Sequence, residues 1–146
     1  MIQRERPSVK QSIKWVLAIC FVITVIQIVN VLSNYSLNRF ALIPRHSDGL
    51  LGILTSPLLH ASVWHYLSNI VPLAVFSFLL MMHGTRRFVQ VTSLAVIGTG
   101  AVVWLFAREA AHVGASGVIY AYFGYLLLAG LWQRSLKIAA ISLFIG

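Results

Sequence analysis

Four long apolar runs, separated by short clusters of basic and polar residues, restrict this chain more than any other feature. The runs cover about 15–32, 60–82, 88–106 and 116–132, and a last stretch, 138–146, is also apolar. A bilayer asks for repeated apolar segments of about 20 residues, whereas a soluble domain of this size would leave that much apolar surface in water. With 59% apolar residues, a mean hydropathy of +0.86 and only 14 Lys, Arg, Asp and Glu in 146 residues, the composition is that of an all-α membrane protein. The spacing predicts four complete transmembrane helices plus the start of a fifth. Residues 138–146 would rise only about 14 Å as a helix, roughly half of the hydrocarbon thickness, so the sequence reads as a fragment.

Charge supplies the orientation. The net charge is +8, but the basic residues fall between apolar runs with no aromatic-interleaved groove, which argues against nucleic acid as a partner. Placing the head, residues 1–14, in the cytoplasm puts Arg4, Arg6, Lys10, Lys14, Arg86, Arg87, Arg134 and Lys137 inside. Arg39, Arg45 and Arg108 remain outside. That split follows the positive-inside rule, makes the protein a multi-pass integral membrane protein with a cytoplasmic N-terminus, and puts the loops before His60 and before Ser116 on the same outer side. The loop over 33–56 mixes polar residues with Phe40, Leu42, Ile43, Leu50 and Leu54, a pattern suited to the headgroup region. The first run lacks the small-residue cleavage site of a signal peptide. Cys20 is single, so there is no disulfide framework.

Two short motifs carry chemistry. His60, His65 and Asn69 are spaced H-x4-H-x3-N at the start of the second run. At 100° per residue, His65 and Asn69 share one helical face while His60 lies well round the helix, a position suited to the end of the loop. A histidine and an amide facing the interior in lipid mark either a functional site or a polar packing contact between helices, and spacing alone fits both. Gly114-Ala115-Ser116-Gly117 opens the fourth run. It is not the soluble nucleophile elbow, since Val118 replaces the last glycine and no strand precedes it. At a helix start, however, unpaired backbone N–H groups and the positive dipole end support a developing oxyanion next to Ser116. Gly117, Ala121 and Gly124 form a smooth stripe on which another helix can approach.

The two motifs in this order resemble the signature of the rhomboid intramembrane serine proteases. The resemblance runs from Trp15 to Gly146 and includes the long amphipathic first loop, the Gly84-Thr85-Arg86-Arg87-Phe88 turn and Tyr120. It implies a rhomboid-like helical bundle over 15–146 that cleaves transmembrane segments of membrane-protein substrates by acyl transfer. It further implies Ser116 as nucleophile, with His65 and Asn69 as oxyanion-hole donors beside the Ser116 backbone N–H. His60 would organise the first loop, and Tyr120 would be the ring on which the catalytic histidine packs. In the family that histidine lies on a sixth helix, beyond the last residue here, so the 146-residue fragment is expected to be inactive. His112, four residues before Ser116, reads as a loop residue, and His46 and His83 are no better placed as bases. A Trp-Arg pair common before the second helix is Leu51-Gly52 here, and an acidic residue common near that helix's end is Met81. No metal or organic cofactor is implied, because the His/Asn spacing lacks a full zinc ligand set. Two alternatives stand beside it: a catalytically inactive rhomboid-like protein that binds membrane clients, and an unrelated four-helix membrane subunit. A bacterial inner membrane is the expected location.

Overall fold

The computed structural model describes residues 6–132. Among them the architecture is all-helical. The elements are α1 (Val9–Leu32), α2 (Gly52–Thr55), α3 (Val63–Met81), α4 (Thr85–Phe106) and α5 (Ser116–Trp132), with three 3₁₀ turns in the first loop. Helices α1, α3 and α4 are long and apolar enough to cross a membrane. Helix α5 is an apolar helix of 17 residues, which rises about 26 Å. The expected start of a further helix at 138–146 lies outside the described residues.

Helix α1 begins earlier than the apolar run at 15, because the Ser8 hydroxyl accepts the Gln11 N–H and caps the first turn. Lys10 and Lys14 are therefore helical, and their long stems can carry the charges toward the headgroups. The helix stops where Asn34 and Tyr35 both take left-handed backbone conformations, φ 53° and 59°. Helix α3 is capped by Ser62, whose hydroxyl accepts the His65 N–H, and it contains Pro72 without breaking. Gly84, at φ 111°, makes the turn into α4, a conformation that disfavours any side chain.

Helix α3 packs against α1, α4 and α5, and α5 packs against α3 and α4. Leu73, Phe76 and Leu80 of α3 meet Phe88 and Ala95 of α4 and Val118, Tyr122 and Leu126 of α5 in one apolar core. Outward-facing Phe21, Leu94, Phe106 and Leu128 are exposed, as lipid-facing residues must be. Of the expected Gly117–Ala121–Gly124 stripe, Ala121 packs against the apolar core and Gly117 meets α4, while Gly124 meets nothing. A Cβ on Gly117 would lie 3.1 Å from Thr99 Oγ1 of α4, whereas nothing comes within 4 Å of one on Gly124.

The first loop is folded back onto the bundle. Leu42 and His112 exchange both backbone hydrogen bonds, at 3.0 and 2.8 Å, and the Gly114 N–H donates to the Ser56 carbonyl at 2.8 Å. The loop before α3 and the loop before α5 are thus physically joined on one side of the bundle. Arg45 reinforces this joint by donating to the Ala107 carbonyl at 2.8 Å, a cation placed at the C-terminal end of α4. Gly52 sits where a Cβ would lie 2.2 Å from Leu42 Cα, so α2 packs directly on the loop backbone. This contact occupies the position where the resemblance has a large basic residue. Met81, at the place of the acidic residue, is buried in the core.

Candidate active site

Ser116 is the first residue of α5 and owes its position to Gly114. Gly114 has φ 118°, which turns the chain sharply after the loop, and its missing side chain makes room for a histidine ring. A Cβ there would lie 2.6 Å from His65 Nε2 and 2.7 Å from His65 Cε1. His65 therefore stands against the backbone two residues before the serine. Asn69, one turn further along α3, is buried, and its Nδ2 donates to the His65 carbonyl at 2.7 Å. Its Oδ1 has no partner among the described residues.

The sequence motifs converge in space. Ser116, His65, Asn69 and Tyr120 line a single cavity of about 360 Å³, whose floor and walls include Pro72 and Phe123. A second cavity, of about 120 Å³, touches Ser116 from the other side and reaches Ser56, Thr99 and His112. Ser116 is exposed into this space, and Tyr120 is 65% exposed. A serine at a helix N-terminus beside an amide and an imidazole is an arrangement able to hold a tetrahedral oxyanion.

The remaining histidines are engaged elsewhere or enclosed. The rings of His46, His83 and His112 hydrogen-bond Glu109, the Leu79 carbonyl and the Arg108 carbonyl, each at 3.0 Å. His60 is fully buried in the loop ahead of α3, edge-to-face with His65 at 5.2 Å and with Tyr66 at 5.7 Å. Burial first, and then the neighbouring His65, pushes its pKa down to about 4, so it is neutral at physiological pH. Among the described residues no three His, Cys, Asp or Glu side chains are grouped to hold a metal ion.

Sequence reasoning overlooked Asn30. Buried in α1, it donates to the His60 carbonyl at 3.2 Å and to Asn38 Oδ1 at 3.0 Å, and accepts the Leu37 N–H at 3.1 Å. It ties the end of α1 to the loop that carries His60. The signal was present, since Gln27 and Asn30 are polar interruptions one turn apart in an otherwise apolar run.

The family model for the Rhomboid domain matches residues 47–145. An uncharacterized protein of Mycobacterium tuberculosis is 33% identical over 129 residues, 82% of this chain and 54% of the relative. An uncharacterized protein of Mycobacterium leprae is 32% identical over 115 residues, 75% of this chain and 46% of the relative. The chain spans about half the length of the curated relatives it matches. No solved structure matches it.

Proposed function

Since the chain belongs to the rhomboid family, we propose that it is the nucleophile-bearing part of an intramembrane serine endopeptidase. The observation that carries this reading is the convergence of Ser116, His65 and Asn69 on one cavity. Ser116 Oγ attacks a backbone carbonyl of a membrane-spanning substrate as its proton passes to a histidine. The carbonyl oxygen becomes an oxyanion that His65, Asn69 and the Ser116 backbone N–H stabilise by hydrogen bonds. Collapse expels the amine, which takes the proton, and water then releases the acyl group from Ser116. The base is a histidine delivered against the exposed Tyr120 by a part of the protein outside this chain. Such an arrangement accords with the greater length of the curated relatives. Substrates are transmembrane segments that unwind locally, because a helical peptide bond is shielded by its own hydrogen bonds.

The same reading puts the N-terminus in the cytoplasm of a bacterial cell and opens the cavity on the outer side of its membrane. A second reading, a client-binding relative without catalysis, draws on the engagement of the His46, His83 and His112 rings by Glu109 and by the Leu79 and Arg108 carbonyls. A serine-reactive fluorophosphonate probe applied to the complete protein separates the two. The protease reading expects labelling that disappears in Ser116→Ala, and equal labelling of both proteins would refute the nucleophile.

A further inference from the structure

The two ends of the first loop meet at one side chain of α1. Asn30 is fully buried; its Oδ1 accepts the Leu37 N–H at 3.1 Å and its Nδ2 donates to Asn38 Oδ1 at 3.0 Å, where the loop begins. The same Nδ2 donates to the His60 carbonyl at 3.2 Å, where the loop returns to α3. A carboxamide has two N–H donors and one acceptor oxygen, so Asn30 uses both donors and the oxygen to close the base of the loop. An apolar side chain of similar size would leave the His60 carbonyl buried and without that partner.

Both walls of the candidate site hang from the returning end of that loop. On the α3 wall, the His60 ring stands edge-to-face with the His65 ring at 5.2 Å, and the Ser62 hydroxyl accepts the His65 N–H at 3.0 Å. On the α5 wall, the Ser56 carbonyl accepts the Gly114 N–H at 2.8 Å, two residues before Ser116. Ser56 and His60 belong to one short segment, joined through the 3₁₀ turn Ser56–Leu58. The His60 carbonyl is therefore the point at which α1 holds the segment that touches both His65 and the nucleophile turn. Asn30 itself does not line the cavity of Ser116, so any effect it has there passes through His60.

We propose that Asn30 is a positioning residue for the oxyanion hole: its hydrogen bond to the His60 carbonyl sets where the His65 imidazole stands relative to the Ser116 backbone N–H. The catalytic consequence rests on the protease reading. The placement of His65 does not.

The test uses the complete protein in phospholipid nanodiscs, with ¹⁵N in its histidine rings, at a temperature where every variant is folded. Asn30→Leu removes the tie to His60, whereas Asn38→Ala removes only the bond between Asn30 and Asn38 and leaves that tie in place. The His65 ring signals are expected to move in Asn30→Leu and to keep their wild-type positions in Asn38→Ala. His83, beyond the other end of α3, should stay in place in both. At saturating fluorophosphonate, the limiting rate of Ser116 labelling is expected to fall about tenfold in Asn30→Leu while the half-saturating concentration is unchanged, because a misplaced donor weakens the transition state and not the encounter. A residue that only supports the fold would lower the melting temperature and leave both readouts alone. Asn30→Ser, too short to reach the His60 carbonyl, carries the same expectations should the leucine variant not fold. Unmoved His65 signals, an unchanged limiting rate beside a moved His65, or an equal response in Asn38→Ala would each overturn the proposal. Wild type that never labels but shows the His65 response defeats the protease reading alone. Labelling at one rate in wild type and Asn30→Leu, with His65 unmoved, defeats the positioning role alone.

Discussion

Gly114→Ala and Gly84→Ala form a matched pair that isolates the packing of His65 against the nucleophile turn. Both glycines occupy positive φ, 118° and 111°, so alanine incurs backbone strain of similar size at each, on the order of 1–3 kcal/mol. Their surroundings differ completely. Nothing lies within 4 Å of a Cβ at Gly84, while a Cβ at Gly114 would approach His65 Nε2 to 2.6 Å. Real Cβ contacts of that length do not persist, and relief must come from moving the imidazole, because Gly114 itself is held by its hydrogen bond to the Ser56 carbonyl. Displacing one oxyanion donor costs about 10²–10³ in rate, or roughly 3–4 kcal/mol of transition-state stabilisation. Thermal unfolding in detergent should therefore show similar losses for the two variants, with Gly114→Ala lower by the added clash. Fluorophosphonate labelling of the complete protein should be near wild type in Gly84→Ala and at least about a hundredfold slower in Gly114→Ala. Equal labelling rates in the two variants would show that His65 does not act from this position.

Asn30→Leu removes three hydrogen bonds that join α1 to the first loop. Unfolding free energy in micelles is expected to fall by about 2–4 kcal/mol, with the first loop becoming open to proteolysis. Gly52→Ala places a methyl group against the Leu42 backbone, which cannot yield as a side chain can. It should cost more than about 2 kcal/mol, measured by denaturant titration, and detach the loop first. His60 makes stability depend on acid. Its folded pKa of about 4 lies below the unfolded value of 6.5, so the folded state binds fewer protons between those limits. Stability is full above pH 6.5 and declines as pH falls toward 4, by about 3 kcal/mol in all, and a His60→Asn variant should lack that decline in melting temperature against pH.

Most of the helical plan was legible from residue type alone. The fourth run at 116–132 coincides with α5, and the second and third differ from α3 and α4 only near their ends. Apolar length is a local property that lipid enforces segment by segment, so no knowledge of partners is needed to find it. The pairing of His65 with Asn69 was equally readable, because helical geometry fixes which residues share a face. Gly114 and Ser116 were visible as a motif, but the reason for the glycine was not. That reason is a histidine ring arriving from α3, across nearly fifty residues of sequence.

Hydropathy, spacing and charge thus determined that this chain spans lipid, where its helices run and which residues are chemically unusual among apolar neighbours. Tertiary structure decided which of those residues meet. It folded the first loop onto the α5 turn through Leu42, His112 and Ser56, buried His60 against His65, and set Gly117 rather than Gly124 against α4. The division has a physical cause: burial in a bilayer acts on each segment independently, whereas steric fit and buried hydrogen bonds belong to pairs of groups and exist only once the segments have packed.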